Sequence, residues 1–512
     1  MALTISFALL LLVAAAGPSA AKPALGPRGW APADLPLSLS SAVATGMLWA
    51  AYLLGALAVA LGLWRGSSGH QHASTSWILA RTGPALRLRE HPWLLPLALG
   101  VLALLTAPIG SADHINYAAY GRISAQGGDP YVVPPITWAG GTDPVTSAVE
   151  PPWTLTPSVY GPFSTALQTL SSLVGQDNLR QTVWVWQLLI VGAWLLVRFM
   201  LRLIAVDDLA RTRVDLLWTA NPIVFGVAVL GAHVDLIATA LALGAVLLAA
   251  RRPWMAGVVL GAAVSSKITY GIVGLAILWS WRSLARKPLV RKLIALAVSS
   301  LVVFASLHLW AGPHVFDQLL SSGKGVSLAT ALRPVVNLFS AWIPLGAART
   351  VGSGLSVLAF ILLVWALSRL ARWRPEASRS SIGQQAAYPQ QSLPALPAEQ
   401  TQSAMTATFV LATAYALAAP YALPWYSTLT WATLPLLLAS TLDWILLAQL
   451  TVMAMAYVPG RVVAMSPDVE SLTLGFRKIV GPLAAWLVWL AIAGAAKRGW
   501  WRVRRASRPP GT

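Results

Sequence analysis

The sequence predicts an all-α fold, a polytopic transmembrane helical protein. Three observations carry that reading. Of the 512 residues, 57% are hydrophobic and only 10% are charged, which is more apolar surface than a soluble core hides. Apolar runs close to the ~20 residues that cross a bilayer recur from end to end. The Lys and Arg residues, 36 against 17 Asp and Glu, stand in short clusters between those runs. That is the positive-inside pattern rather than a nucleic-acid face. The chain has no cysteine, which removes disulfides, thiol nucleophiles and cysteine metal ligands.

Taken in order, residues 1–21 form a short apolar run ending in Ser19, Ala20 and Ala21. The run lacks a basic n-region and so reads as an uncleaved first helix rather than a signal peptide. Further spans are predicted near 42–64, 94–110, 183–204, 215–231, 236–250, 293–311, 349–371, 404–423, 425–442, 443–459 and 477–496. Basic clusters at 65–89, 198–213, 251–252, 282–292, 369–379 and 497–508 are placed on the cytoplasmic side, with both termini. Segment 255–280 has basic flanks at both ends but is too short for two crossings, so it reads as a re-entrant or broken hairpin around Lys267. The expected total is about 12 spans.

Polarity concentrates on the opposite, extracytoplasmic face. The stretch 111–182 is rich in Pro, Gly, Tyr and Trp and contains YGPFSTALQTLSSLV (160–174), the pattern of an amphipathic helix lying on a membrane. Two further outer loops run from 312 to 348 and from 460 to 477, whereas 374–403 is a low-complexity cytoplasmic linker. The divisions are therefore 1–92 (N-terminal helices and a basic loop), 93–373 (a transmembrane core bearing the outer loop), 374–403 (linker), 404–496 (C-terminal helices) and 497–512 (basic tail).

A carboxylate at the mouth of a membrane helix is costly to keep and marks a candidate site. Asp113 stands just past the run 93–109, followed by Tyr117, Tyr120, Arg122 and Tyr131. A helix cap is the plain explanation for it. A general base is the chemical one, because aromatic faces stack on sugar rings and an arginine fork suits phosphate. Asp129 and Asp143 lie deeper in the loop. His233 and Asp235 lie at the outer end of a helical pair, either as a self-satisfied turn or as a substrate-positioning pair. No tight ligand spacing supports a metal site there. Lys267 is a lone ammonium in an apolar hairpin, a snorkelling lysine or the partner of a lipid phosphate or carboxylate. Lys324, Arg333, Arg349 and Arg461 are further phosphate candidates. SSGKG (321–325) lacks P-loop spacing, His70 and His72 have no third ligand, and neither HExxH nor GxSxG occurs.

Asp113, Tyr117, Tyr120-Gly121-Arg122 and Gly128-Asp129-Pro130-Tyr131 form an ordered set with Tyr160-Gly161-Pro162, Asn221-Pro222, Gly231-Ala232-His233-Val234-Asp235, Lys267 and Pro424-Trp425-Tyr426. Over roughly residues 90–460 the set resembles bacterial C-type glycosyltransferases, and among them the actinobacterial polyprenyl-phosphate-mannose-dependent α-mannosyltransferases. The chain departs from that pattern at Val234, where Asn is usual, and at Tyr270, where Pro is expected. The resemblance implies a mannose or other hexose carried on a polyprenyl phosphate, a glycan or glycolipid acceptor, and an extracytoplasmic active site in the plasma membrane. It implies Asp113 as catalytic base, no cofactor, and substrate contacts from the tyrosines, Arg122, His233, Asp235, Lys267, Trp425 and Tyr426, to which Arg461 is added as a candidate substrate contact from its place in the outer loop. A transporter or flippase of lipid-linked sugar, and a glycan ligase, are the competing functions. Transporters show repeated halves with matching broken helices, and no such repeat is visible here.

Overall fold

Helix α1 (Ala2–Ala15) is apolar but for Thr4 and Ser6 and packs along α2 (Ser41–Ser67), where the Ser6 hydroxyl donates to the Ala51 carbonyl at 2.6 Å. This opening pair belongs to a computed structural model that describes residues 1–67, 91–205, 207–318, 325–373 and 399–506. Among them are no β-strands, only two isolated bridges. Helix α3 (Leu94–Leu104) stops short of the predicted 94–110 because Pro108 lies ahead. Its orphan C-terminal carbonyls are satisfied by indole and amide donors from the next long helix: Trp184 to Leu104 and Gln187 to Ala103, each 2.8 Å.

The connection after α3 is held on two sides. The amide of Ile109 donates to Leu230, that of Gly110 to Ala21, and Gly460 (φ +110) lies against Gly110 with no room for a Cβ. It delivers the chain to α4 (Asp113–Ala125), then to an irregular stretch and α5 (Pro162–Gly175), which starts on a proline at its first turn. Gly121 of α4 lets the backbones of α4 and α5 meet at Gln168. The burial pattern of α5 is the reverse of a soluble helix: Ser164, Thr165, Gln168, Ser171 and Ser172 are buried, while Leu170, Leu173 and Val174 are exposed.

Helix α6 (Leu179–Ile204), capped by the Asn178 side chain, is followed by two segments, Asp208–Thr219 and Pro222–Leu230, bent by 41° at the Asn221-Pro222 break. Helices α7 (Asp235–Ala249), α8 (Pro253–Ser266) and α9 (Ile272–Ser280) follow, and α8 packs against α7 and against α10 (Arg286–Ala311). Of the side chains on α10 only Leu296 is fully buried; Ile294, Val298, Leu301 and Val302 stand exposed, as on a helix whose solvent is lipid. Then come α11 (Leu332–Phe339), α12 (Leu345–Leu370), α13 (Glu399–Ala418), α14 (Thr441–Tyr457), α15 (Pro467–Gly475) and α16 (Gly481–Ala506). One buried core cluster runs through this series, from Phe7 to Ala496.

Among the described residues five helices are long and apolar enough to cross a membrane, six with the bent pair, against the expected 12; six more apolar helices are shorter, at 10–17 residues. Segment 425–442, expected as a span, is a chain of short helical pieces (Pro424–Ser427, Thr428–Thr433, Leu434–Leu436) because Pro435 interrupts the hydrogen-bond ladder. Residues 399–403, assigned to the linker, are helical as the start of α13, and α16 continues to Ala506 through the expected tail. The rest of the linker, and His70, His72 and Lys324, lie outside the described residues.

At the far end from the α4–α5 loop, charged pairs brace the bundle. Arg213 grips Asp443 through two contacts of 2.8 and 3.2 Å, and Asp443 also completes the capping box of α14 with Ser440. Arg198 and Arg202 share Asp215 at 3.0 and 2.6 Å. At the loop end the fully buried Lys22 and the Arg180 fork both bind Asp34.

Candidate active site

Asp113 is the first residue of α4, where the helix dipole favours a negative charge, and its side chain is 17% exposed. It opens on a cavity of about 730 Å³. The same cavity is lined by Tyr120, Tyr160, Asp235, Lys267, Trp425 and Tyr426. Six of the eleven other predicted site residues thus join Asp113 around one space.

Two short turns arrange the charges. Gly231-Ala232 leads into α7 with Ala232 in the left-handed region (φ +53), a conformation that costs a non-glycine residue about 1 kcal/mol. The Trp186 indole holds the turn by donating to the Ala232 carbonyl at 2.8 Å. It sends His233 and Asp235 in different directions. His233 is buried, with Nδ1 3.3 Å from an Asp113 oxygen and its ring stacked on Trp425 at 3.5 Å between centroids. Asp235 receives the Lys267 ammonium at 2.7 Å. Its second oxygen is buried with no hydrogen-bond partner among the described residues.

Lys267 sits where helix gives way to extended chain (φ −153, ψ 116) between α8 and a 3-10 turn, Ile268–Gly271. Its ammonium also lies 3.6 Å from the centre of the Tyr426 ring. Tyr270, one turn on, donates to the Asp235 main-chain carbonyl at 2.8 Å and meets the Thr239 hydroxyl at 2.9 Å. So the tyrosine that replaces the expected proline ties the Lys267 loop to the start of α7. Gly161 fits against the main chain of Ser265 with no space for a Cβ, and the Ser164 hydroxyl donates to Ser266 at 3.1 Å. These contacts set the end of α8 beside Tyr160.

The other predicted residues lie elsewhere. Tyr117 is buried behind the cavity, edge-on to Tyr160 at 4.9 Å and beside Trp186 at 5.0 Å. His233 touches Asp113 from behind rather than lining the space. Arg122 binds Asp143 at 2.8 Å and also Asp177, so its fork is occupied by protein carboxylates. Arg461 is bound to Glu150 and to the carbonyls of Ser19 and Lys22, a clamp on the N-terminal segment. Tyr131 lines a separate, smaller cavity. Arg333 and Arg349 do not line the main cavity.

Sequence reasoning missed several lining residues: Asn116, Trp153, His308, Tyr415 and Tyr421. Tyr421 stands at the end of a predicted span, the usual place for aromatic residues at a membrane interface, and that was the available signal. The walls beyond the charged groups are apolar, with Val264, Ile268, Ile272, Val357 and Phe360 on one side. Among the described residues no three His, Asp or Glu side chains converge as metal ligands would.

Fold and cavity together define a helical membrane-type protein whose polar groups converge on one large, mostly apolar pocket. The chain belongs to the family described as alpha-(1->6)-mannopyranosyltransferase, N-terminal domain, whose model matches residues 3–283. That match takes in Asp113, His233, Asp235 and Lys267, and agrees with the resemblance read from those residues. The chain is similar to alpha-(1->6)-mannopyranosyltransferase A of Mycobacterium tuberculosis, 29% identical over 287 residues, 53% of this chain and 52% of the relative. It is also similar to the "Probable alpha-(1->6)-mannopyranosyltransferase" of Mycolicibacterium smegmatis, 28% identical over 276 residues, 47% of this chain and 48% of the relative. Alpha-(1->6)-mannopyranosyltransferase B of Corynebacterium glutamicum is 29% identical over 137 residues, 27% of this chain and 20% of the relative. The matched region spans about half the length of the first two relatives. No solved structure matches.

Proposed function

We propose that the protein is an inverting glycosyltransferase that moves mannose from a polyprenyl-phosphate donor to a glycan or glycolipid acceptor on the extracytoplasmic side of the membrane. The observation that carries the reading is the opening of Asp113 and Lys267, a candidate base and a cation, on one cavity of about 730 Å³.

In this mechanism the Asp113 carboxylate takes the proton of an acceptor hydroxyl. The freed oxygen bonds to the anomeric carbon of mannose as the bond from that carbon to phosphate oxygen breaks. The polyprenyl phosphate leaves with the electron pair, and the Lys267 ammonium stabilises its growing charge. Attack from the face opposite the phosphate turns a β-linked donor into an α-linked product. Tyr120, Tyr160 and Trp425 offer ring faces to the sugar. The apolar wall of Val264, Ile268, Ile272, Val357 and Phe360 suits an isoprenoid chain, each buried methylene of which contributes about 0.8 kcal/mol. The exposed leucines of α5 fit a helix resting in the membrane surface, with the break at Lys267 at the tip of a re-entrant hairpin.

The test incubates purified protein with polyprenyl-phosphate-mannose and mannoside acceptors. Wild type is expected to transfer mannose, and Asp113→Asn to lose transfer by about a thousandfold or more while folding normally. Full transfer by Asp113→Asn would reject Asp113 as the base.

A further inference from the structure

A second cavity of about 280 Å³ adjoins the loop end of the bundle, and its walls differ in kind from those of the main one. Ser124, Asp129, Tyr131, Thr165 and Trp310 line it, with the main chain at Gly127. Gly127 has a φ of +82 and open space where a side chain would be, so its backbone is presented bare. The Tyr131 and Thr165 hydroxyls meet at 2.8 Å on the buried side. One Asp129 oxygen accepts from the Tyr131 amide, which fixes the carboxylate in an Asx turn. Trp310 is 55% exposed.

The two cavities share three walls in register. Tyr120 of the main cavity and Ser124 of the second lie one turn apart on α4, Gly161 at the N-cap of α5 and Thr165 in its first turn are four residues apart, and His308 and Ala311 lie one turn apart on α10. A helix rises about 1.5 Å per residue. The two linings are therefore offset by about one helical turn, ~5 Å, along these walls, a step on the scale of a sugar residue.

Its chemistry selects the ligand. Among the described residues no Lys or Arg lines it, and Asp129 would repel an anion, so it does not suit phosphate. Hydroxyl, carboxylate and bare-backbone walls do not suit a hydrocarbon chain. A neutral polyol fits: its hydroxyls bond to Asp129, Ser124 and the Gly127 backbone, and its C–H face stacks on the indole of Trp310. We infer that this cavity is a binding subsite for an acceptor glycan, holding the sugar next to the one that reacts beside Asp113. The inference rests on the mannosyl-transfer reading of the main cavity.

The test has a binding arm and a transfer arm. Linear α-(1→6)-linked mannotetraose is titrated calorimetrically, without donor, into wild type, Trp310→Leu and Asp129→Asn; the Asn keeps the turn acceptor. Each variant is expected to weaken binding about tenfold. In the transfer arm, the ratio of kcat/KM for the tetraoside to that for a mannose monoside falls about tenfold. Unchanged affinity and an unchanged ratio overturn the subsite, as does an equal loss with both acceptors, which marks a membrane-anchoring tryptophan only. Trp310-dependent tetraose binding without any wild-type transfer removes the mannosyl-transfer reading and leaves the glycan site standing. Transfer with a length preference indifferent to both variants does the reverse.

Discussion

Asp235 and Lys267 meet at 2.7 Å on the wall of the main cavity, the carboxylate almost fully buried and the ammonium also seated on the Tyr426 ring. A buried pair that loses one partner leaves an uncompensated charge, which costs about 3–5 kcal/mol. Lys267→Met is therefore expected to lower the melting temperature in detergent and to abolish transfer. Lys267→Met combined with Asp235→Leu is expected to regain thermal stability and not activity. Recovery of both would make Lys267 a structural cation only.

His233 bears on Asp113 from behind the cavity wall, 3.3 Å away and fixed by its stack on Trp425. It is a positioning residue, since it does not line the space that substrate would occupy. His233→Phe keeps a ring against Trp425 and removes the nitrogen. The expected result is a fall in kcat of about tenfold, or ~1.4 kcal/mol of transition-state stabilisation, with KM nearly unchanged. A rise in KM with kcat intact would move His233 into direct substrate contact.

Gly161 sets the distance between α5 and the Lys267 loop, because its Cα lies against the main chain of Ser265. Backbone cannot yield as a flexible side chain does. Gly161→Ala is expected to displace Tyr160 and Lys267 from each other and cut kcat/KM at least tenfold. Gly354→Ala, with nothing near its added carbon, is the control and should leave kcat/KM within twofold. Equal activity of the two variants would show that the α5–α8 contact does not tune the site.

How much of this was legible in the sequence follows from the range of each interaction. Asp113, Asp235 and Lys267 stood out because an isolated charge in an apolar setting demands a reason within a few residues. Their convergence was suggested by resemblance, and its geometry was not readable. Arg122 and Arg461 were misplaced for the opposite cause: their partners Asp143, Asp177 and Glu150 lie far along the chain, so a satisfied clamp and a free phosphate fork look alike in sequence. Tyr131 was linked with Asp113 by proximity in the loop, yet the Asx turn at Asp129 carries it into the neighbouring cavity. Segment 425–442 reads as one span in hydropathy although Pro435 cuts its helix, since hydropathy does not register a lost amide.

His114, next to Asp113 on α4 and outside the membrane-spanning helices, has no solvent exposure and no hydrogen-bond partner for either ring nitrogen among the described residues. Burial pushes its pKa down to about 3, and the attraction of the Asp113 carboxylate offsets only part of that. An unfolded chain takes up this proton near the ordinary value of 6.5, whereas the folded one stays neutral to about 3. The folded state is therefore the one that binds fewer protons, and its stability is full above pH ~6.5 and declines as pH falls through that window. At pH 4.5 the loss is on the order of 3 kcal/mol. Thermal unfolding of the detergent-solubilised protein between pH 7.5 and 4.5 checks this against His114→Leu, which has no proton to gain. Wild type should lose melting temperature more steeply than the variant below pH 6.5. Parallel curves would mean that acid acts on the fold through other groups.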